Sequence, residues 1–380
     1  MRAIHLIAAG ALFSATSASA SIPTDNPRRS QLDRAVDAAA ATFFSDPCHV
    51  GAAIAITDHG RRNFYDYGTV SKVRPALPTR RSLYEIGSIT KTFTGALVAK
   101  AVLNGKMSLD ADFREYLKDP YPNLENGGKP ITLRTLASHT SGISRDIPNN
   151  DDLFQGTPDF NKLPYLLMAR EKGYDRTRYL RELHQVQLAN MPGAKMSYSN
   201  IGIKLIGFGL ENVTGLDFGK LLSRDIFHPL GMTGTTLVPS QSQLSLLAQA
   251  YLPGGNPAPP PRLDIDPNTG GAGGLFSSTE DMVKYAEWQL DERDPVIARA
   301  HQPIWGSPDN FAVGLIWDIG KTPDGERRLW HNGGTFGMSS QLILLPDSQR
   351  AYVLLANDAC PNTQGQLYEM AMAIRAALHH

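Results

Sequence analysis

Apolar residues recur at helical spacing at both ends of the chain and at strand spacing just inside those ends. From Gln31 to Phe44, Leu32, Val36, Ala40 and Phe43 fall on one side of a helix that stops at Asp46-Pro47. Gly51 to Thr57 and Arg62 to Tyr67 then read as strands around the turn residues Asp58-His59-Gly60-Arg61, a hairpin. Toward the other end, Gln341 to Leu345 and Ala351 to Ala356 are strand-like runs joined through Pro346-Asp347-Ser348-Gln349. Gln366 to Leu378 is a closing helix with Leu367, Met370, Ala371, Ile374 and Leu378 on one face. The middle has another texture: the spacing predicts helices over Phe93 to Asn104, Thr132 to Ser138, Tyr179 to Gln187, Ile201 to Val213 and Phe218 to Ile226. Strands are hard to find between about 105 and 265, so a helical insertion between two β-containing ends is the economical reading. Gly254 to Pro261 breaks both helix and strand and reads as a surface connector.

The chain has 380 residues, 42% hydrophobic and 19% charged, which allows a sizeable core and predicts a composite fold. Lys plus Arg (37) equals Asp plus Glu (37), so no global field draws in a polyanion, and nucleic acid is not an expected partner. Residues 1–20 combine Arg2, an apolar run from Ile4 to Phe13 and Ala18-Ser19-Ala20, the pattern of a signal peptide cut after Ala20. The run is too short to span a bilayer and no later segment is long and apolar enough, so a periplasmic or secreted protein without stable membrane insertion is expected. Only Cys48 and Cys360 are present; export permits one disulfide, and two buried free thiols are the alternative.

Ser88 and Lys91 stand in Ser88-Ile89-Thr90-Lys91, after Gly87 and before an apolar helical run, so the two side chains lie one turn apart on one face. A serine hydroxyl attacks carbonyls only when a base takes its proton, and a lysine amine whose charge is suppressed can be that base. The helix N-terminus favours the negative charge that develops on an attacked carbonyl. Alone, this pair would read as an N-cap beside an exposed lysine. Tyr198-Ser199-Asn200 follows Pro192-Gly193 in a polar turn; a tyrosine relays protons when nearby positive charge lowers its pKa, and Asn200 offers both a donor and an acceptor. His331-Asn332-Gly333-Gly334 precedes the strand at Gln341, where glycines let a ligand or backbone approach closely.

The three motifs in this order resemble the superfamily of class C β-lactamases and D-alanyl-D-alanine peptidases, which includes family VIII esterases. Secondary segments support the resemblance over roughly residues 45 to 360: Ile131 to Arg134 leading to His139-Thr140-Ser141-Gly142, His228 to Met232, Gly273-Gly274-Leu275 with Thr279 to Met282, and Gly314 to Trp317. The resemblance implies an α/β (α+β) fold: an antiparallel β-sheet flanked by the N- and C-terminal helices (21–105 and 266–380), with a large all-helical insertion (106–265). It implies that Ser88 forms an acyl-enzyme, that Lys91 and Tyr198 share the general-base work, and that Asn200 holds Lys91 and the substrate amide. The N–H groups of Ser88 and Gly334 would form the oxyanion hole, with His331, Asn332 and Gly333 completing the substrate strand. In the family's sheet the first and last strands are neighbours, which would bring Cys48 beside Cys360.

The chain departs from the family where His331 replaces a common lysine and Asn332 a common threonine. A histidine is mostly neutral at pH 7, so attraction for a substrate carboxylate is weakened. The leading expectation is therefore a D-alanyl-D-alanine-type carboxypeptidase, endopeptidase or D-amino-acid peptidase with weak β-lactamase activity. The alternatives are a family VIII-type carboxylesterase and a non-catalytic penicillin-binding module. Expected partners are small molecules or peptidoglycan-derived peptides, with β-lactams as substrates or inhibitors. No Gly-x-Ser-x-Gly elbow is present, and no His-Glu-x-x-His or paired-cysteine set suggests a metal; no cofactor is expected. His379-His380 receives no role.

Overall fold

The computed structural model describes residues 22–261, 263 and 271–378; the expected signal peptide and His379-His380 lie outside them. Eight strands form one antiparallel sheet: β1 Gly51–Asp58, β2 Arg61–Gly68, β3 Trp305–Ser307, β4 Phe311–Val313, β5 Asp318–Lys321, β6 Arg327–Gly334, β7 Ser339–Leu345 and β8 Arg350–Ala356. Their order is β2-β1-β8-β7-β6-β5-β4-β3, so the first hairpin of the chain pairs with its last strand, Ile54 opposite Leu354. Residues 305 to 334 supply half the sheet, though the sequence pattern points to a strand only around His331 to Gly334. Their strands are mostly three or four residues long and broken by glycine, so no run is long enough to display its period.

The central strands β7 and β8 are buried along nearly their whole length, with apolar runs at 342–345 and 351–356, because both sheet faces are covered. Ala53, Leu342, Val353 and Leu355 point into the larger core. Ile54, Ile56, Ile343, Leu354 and Ala356 point to a second layer built from α1 (Gln31–Phe43) and α5 (Thr363–Leu378), through Val36, Ala40, Phe43, Leu367, Ala371 and Ile374. Burying each Val, Ile, Leu or Phe side chain among these contributes about 1.5–3 kcal/mol. Helix α1 starts with a capping box in which Ser30 and Asp33 satisfy each other's backbone N–H groups.

The face opposite α1 and α5 carries α2 (Thr90–Leu103) and α4 (Thr279–Leu290). Eleven of the fourteen residues of α2 are buried, from Thr90 through Ala99 and at Ala101, so this is a central helix rather than an amphipathic one. It lies so close to the Gly314 to Trp317 bend that a Cβ on Gly95 would fall 2.2 Å from the Leu315 carbonyl oxygen. Between α2 and α4 the chain is mainly helical, with α3 (Asn200–Thr214) at its centre, Arg176–Leu183 against it through Tyr179, a further helix at Leu163–Glu171, and Phe218–Leu222 continuing into a π-turn at Ser223–Phe227. It also holds two short ladders, Glu125–Asn126 with Lys129–Pro130 and Tyr251–Leu252 with Asn256–Pro257, the latter running from just before the expected connector into it. One continuous hydrophobic cluster, from Leu342 and Phe93 to Leu136 and Ile203, joins sheet and insertion. Among the described residues no helix is long and apolar enough to cross a membrane.

Candidate active site

Ser88 sits in a 3-10 turn, Gly87–Ile89, that runs directly into α2. The turn is pressed against β6. A Cβ on Gly87 would lie 2.7 Å from the Gly334 nitrogen, and one on Gly333 would lie 2.1 Å from the Ile86 carbonyl oxygen. Gly87 also has a positive φ of 51°, so glycine is required there for both conformation and space. The Ser340 hydroxyl donates to the Ile86 carbonyl at 2.9 Å and completes the seam. The Ser88 and Gly334 backbones are therefore neighbours.

Three residues on, Lys91 is fully buried. Its Nζ is 2.8 Å from Ser88 Oγ and also donates to the Ala272 carbonyl. Burial holds its pKa well below that of a free lysine; Lys204 and Arg145 push the same way, and Asp146 opposes them. The Tyr198 hydroxyl donates to the same Ser88 Oγ at 2.7 Å. Burial raises its pKa to about 12, exceeding the lowering by its bond to Ser88 and by Arg145. This corrects the sequence expectation, in which nearby charge lowers it: Lys91 is itself driven toward the neutral form, and the position expected to carry a family lysine holds a histidine.

His139 holds Tyr198 in place, a role that was not visible when the residue was only part of a motif. Its carbonyl accepts from Ser197 N–H at 2.7 Å, its Nδ1 accepts from Ser199 N–H at 3.2 Å, and its ring packs against that of Tyr198 at a tilt of 33°, centroids 4.5 Å apart. Burial, aided by Lys91 and His331, lowers its pKa to about 3. The ring is thus neutral, with its proton on Nε2. The Ser199 hydroxyl caps α3 through Gly202 N–H and donates to the Ser144 carbonyl, which fixes the Tyr198-Ser199-Asn200 segment at both ends.

Asn200 was expected on Lys91. Instead its amide donates to Asp146 Oδ1 at 2.8 Å, and its backbone N–H donates to the Arg145 carbonyl at 2.8 Å. On β6, alternation buries Leu329, His331 and Gly333 and turns Asn332 and Gly334 the other way. His331 is 5% exposed, and its Nδ1 donates to the Asn332 carbonyl at 2.7 Å, leaving Nε2 as the bare nitrogen. Burial first, then Lys91, lowers its pKa to about 4, against the pull of that carbonyl. His331 therefore contributes geometry and a lone pair, not a cation. Asn332 donates to Gln364 Oε1 at the start of α5.

A cavity of about 810 Å³ opens on these groups, lined by Ser88, Arg145, Tyr198, Asn200, Asn332 and Gly334 among others. A smaller one of about 330 Å³ meets it at Ser88 from the side of Gly273 and Gly274. Cys48 and Cys360 are bonded, with Cα atoms 6.1 Å apart, and Cys360 with Pro361 to Gln364 forms part of the larger cavity's wall.

Comparison with known proteins agrees with this geometry. A family model described as Beta-lactamase matches residues 33–377. Protein flp of Staphylococcus aureus (strain MRSA252) is 27% identical over 318 residues, 81% of this chain and 59% of the relative, so the chain spans about three-fifths of that protein's length. A beta-lactamase of Providencia stuartii is 25% identical over 351 residues, covering 83% of this chain and 84% of the relative. The solved structure of a beta-lactamase/D-alanine carboxypeptidase from Pseudomonas syringae shares the fold, with a TM-score of 0.74 at 22% identity over 91% of this chain and 99% of that one. A family match over nearly the whole sequence, joined to one serine oxygen held between a buried lysine and a tyrosine, means that this chain belongs to the beta-lactamase family of serine hydrolases.

Proposed function

We propose that the protein is an exported D-alanyl-D-alanine-type carboxypeptidase or D-amino-acid peptidase that also reacts slowly with β-lactams. The observation that carries this reading is Ser88 Oγ held at 2.8 Å by Lys91 Nζ and at 2.7 Å by Tyr198 OH at the mouth of a cavity large enough for a peptide end. Lys91, neutral because it is buried, takes the Ser88 proton as Oγ bonds to the substrate carbonyl carbon. The carbonyl electron pair moves to oxygen and is received by the N–H groups of Ser88 and Gly334. Tyr198, whose high pKa keeps its proton in place, gives that proton to the departing nitrogen as the C–N bond breaks and is reprotonated from Lys91. Water then hydrolyses the acyl-enzyme by the same relay. Gly333 lets β6 approach the Ser88 turn, and Asn332 and Asn200 present polar groups to the bound chain. Export is supported by the N-terminal pattern and by the disulfide.

A carboxylesterase acting on small acyl esters is the second reading. What favours it is that His331 is buried and neutral where the family resemblance implies a common lysine, so His331 offers no fixed charge to a carboxylate. Measuring kcat/KM for a D-Ala-D-Ala peptide, a cephalosporin and a p-nitrophenyl ester separates the two. The peptide is expected to lead, and a clear preference for the ester would replace the peptidase reading. In the Ser88→Ala variant, covalent labelling by a fluorescent penicillin should vanish while the fold persists; retained labelling would move the nucleophile elsewhere.

A further inference from the structure

We propose that Arg145 is the residue that selects carboxylate-bearing substrates, in place of a cation on β6. The assignment rests on the acyl-transfer reading of the Ser88 site. Among the described residues lining the larger cavity, Arg145 is the only cationic side chain. Its side chain is 57% exposed, and its guanidinium donates no hydrogen bond to any described residue. The contact with Asp146 is a single ion-pair approach at 3.4 Å, and Asp146 Oδ1 is already taken by the Asn200 amide. A planar fork of N–H donors with so little to bind, facing a cavity, is the chemistry that receives a carboxylate in two parallel bonds.

Its placement suits that task. The Arg145 carbonyl accepts from the N–H groups of Asn200 at 2.8 Å and Ile201 at 3.3 Å, so its backbone is tied to the first turn of α3, two residues from Tyr198. Its guanidinium lies 5.9 Å from the Tyr198 ring centroid and 5.6 Å from that of Phe154, which restricts where the head group can swing. An anion held there is one tyrosine away from the nucleophile.

The test compares matched esters in the wild type and in Arg145→Gln and Arg145→Lys. One pair is p-nitrophenyl butyrate against mono-p-nitrophenyl glutarate, with the carboxylate on the acyl half; the other is phenyl butyrate against 3-carboxyphenyl butyrate, with it on the leaving half. In Arg145→Gln, the ratio of kcat/KM for the carboxylate ester to that for its neutral partner is expected to fall about 10- to 100-fold in at least one pair, the worth of a charge-assisted hydrogen bond. The loss should appear mainly in KM, and Arg145→Lys should restore part of it. The pair that responds tells which half of the substrate faces Arg145. Unchanged ratios in both pairs, including an equal fall for charged and neutral members through the neighbouring Tyr198, would overturn the assignment. Since the ratios are taken on esters, they decide the role of Arg145 even where the peptide is not cleaved, so the two readings fail separately.

Discussion

A lysine amine and a tyrosine hydroxyl share the oxygen of Ser88, and burial drives their proton affinities apart: Lys91 falls well below its ordinary value while Tyr198 rises to about 12. Groups separated in this way sort into base and acid. His331 stands outside that exchange. With a pKa near 4 it takes up a proton only well below pH 5 and stays neutral from pH 5.5 to 8. The profile of kcat/KM over that range should therefore contain no limb from His331, and His331→Gln should follow the wild-type shape even if its absolute rate differs. A limb near pH 6.5 that disappears in His331→Gln would mean that the imidazole titrates in the open, contrary to its burial.

At the level of elements, the site depends on a turn lying flush against a strand. Gly87 has φ of 51° with 2.7 Å from its missing Cβ to the Gly334 nitrogen. Alanine there would push β6 away from Ser88 and spread the two N–H donors proposed to hold the oxyanion. Gly87→Ala is expected to lower kcat by about 10² to 10³, the worth of one such donor. Gly105 is the control. It follows α2 with φ of 65° but has nothing within 4 Å of a built Cβ, so Gly105→Ala should lower stability by about 1 kcal/mol and leave kcat alone. Steady-state kinetics beside thermal melts of the two variants separate the effects; a Gly87→Ala enzyme with full kcat would show that the seam is not needed for turnover.

Across the whole molecule, Cys48 precedes β1 and Cys360 follows β8, and the β1–β8 pairing closes the chain on itself over a sequence separation of 312 residues. Beside the bridge, buried His49 pairs with Asp358, which also accepts from Val50 N–H and the Thr363 hydroxyl, so the same corner is fastened by polar contacts. A disulfide typically stabilises by about 2–4 kcal/mol. Reduction should lower Tm by several degrees while kcat at 25 °C is largely kept, because Ser88, Lys91 and Tyr198 are held by other contacts. A change in KM is compatible with Cys360 forming part of the cavity wall. Thiol titration of the unfolded, unreduced protein checks the premise: two free thiols would refute the bridge.

Much of this architecture is legible in the amino-acid sequence. The terminal helices and the paired strands at 51 to 67 and 341 to 356 declare themselves because each is long enough to show its period. Ser88, Lys91 and Tyr198 stand out as candidates only because three motifs occur in one order along the chain; each motif alone would read as ordinary structure. The short strands between Trp305 and Lys321 do not declare themselves, because pairing by neighbours rather than local pattern makes them strands. Nor does a sequence say which way a charge balance tips inside a cavity. The neutrality of His331 follows from burial, the turn of Asn200 toward Asp146 from a partner 54 residues away, and the raised pKa of Tyr198 from loss of water exceeding the lowering by its bond to Ser88 and by Arg145. The sequence by itself determined the long elements and the motifs in which the candidate reacting groups stand, since these rest on local spacing and residue chemistry. Proton affinities and the side chains facing the substrate were decided only by tertiary structure, because solvation and charge act through space.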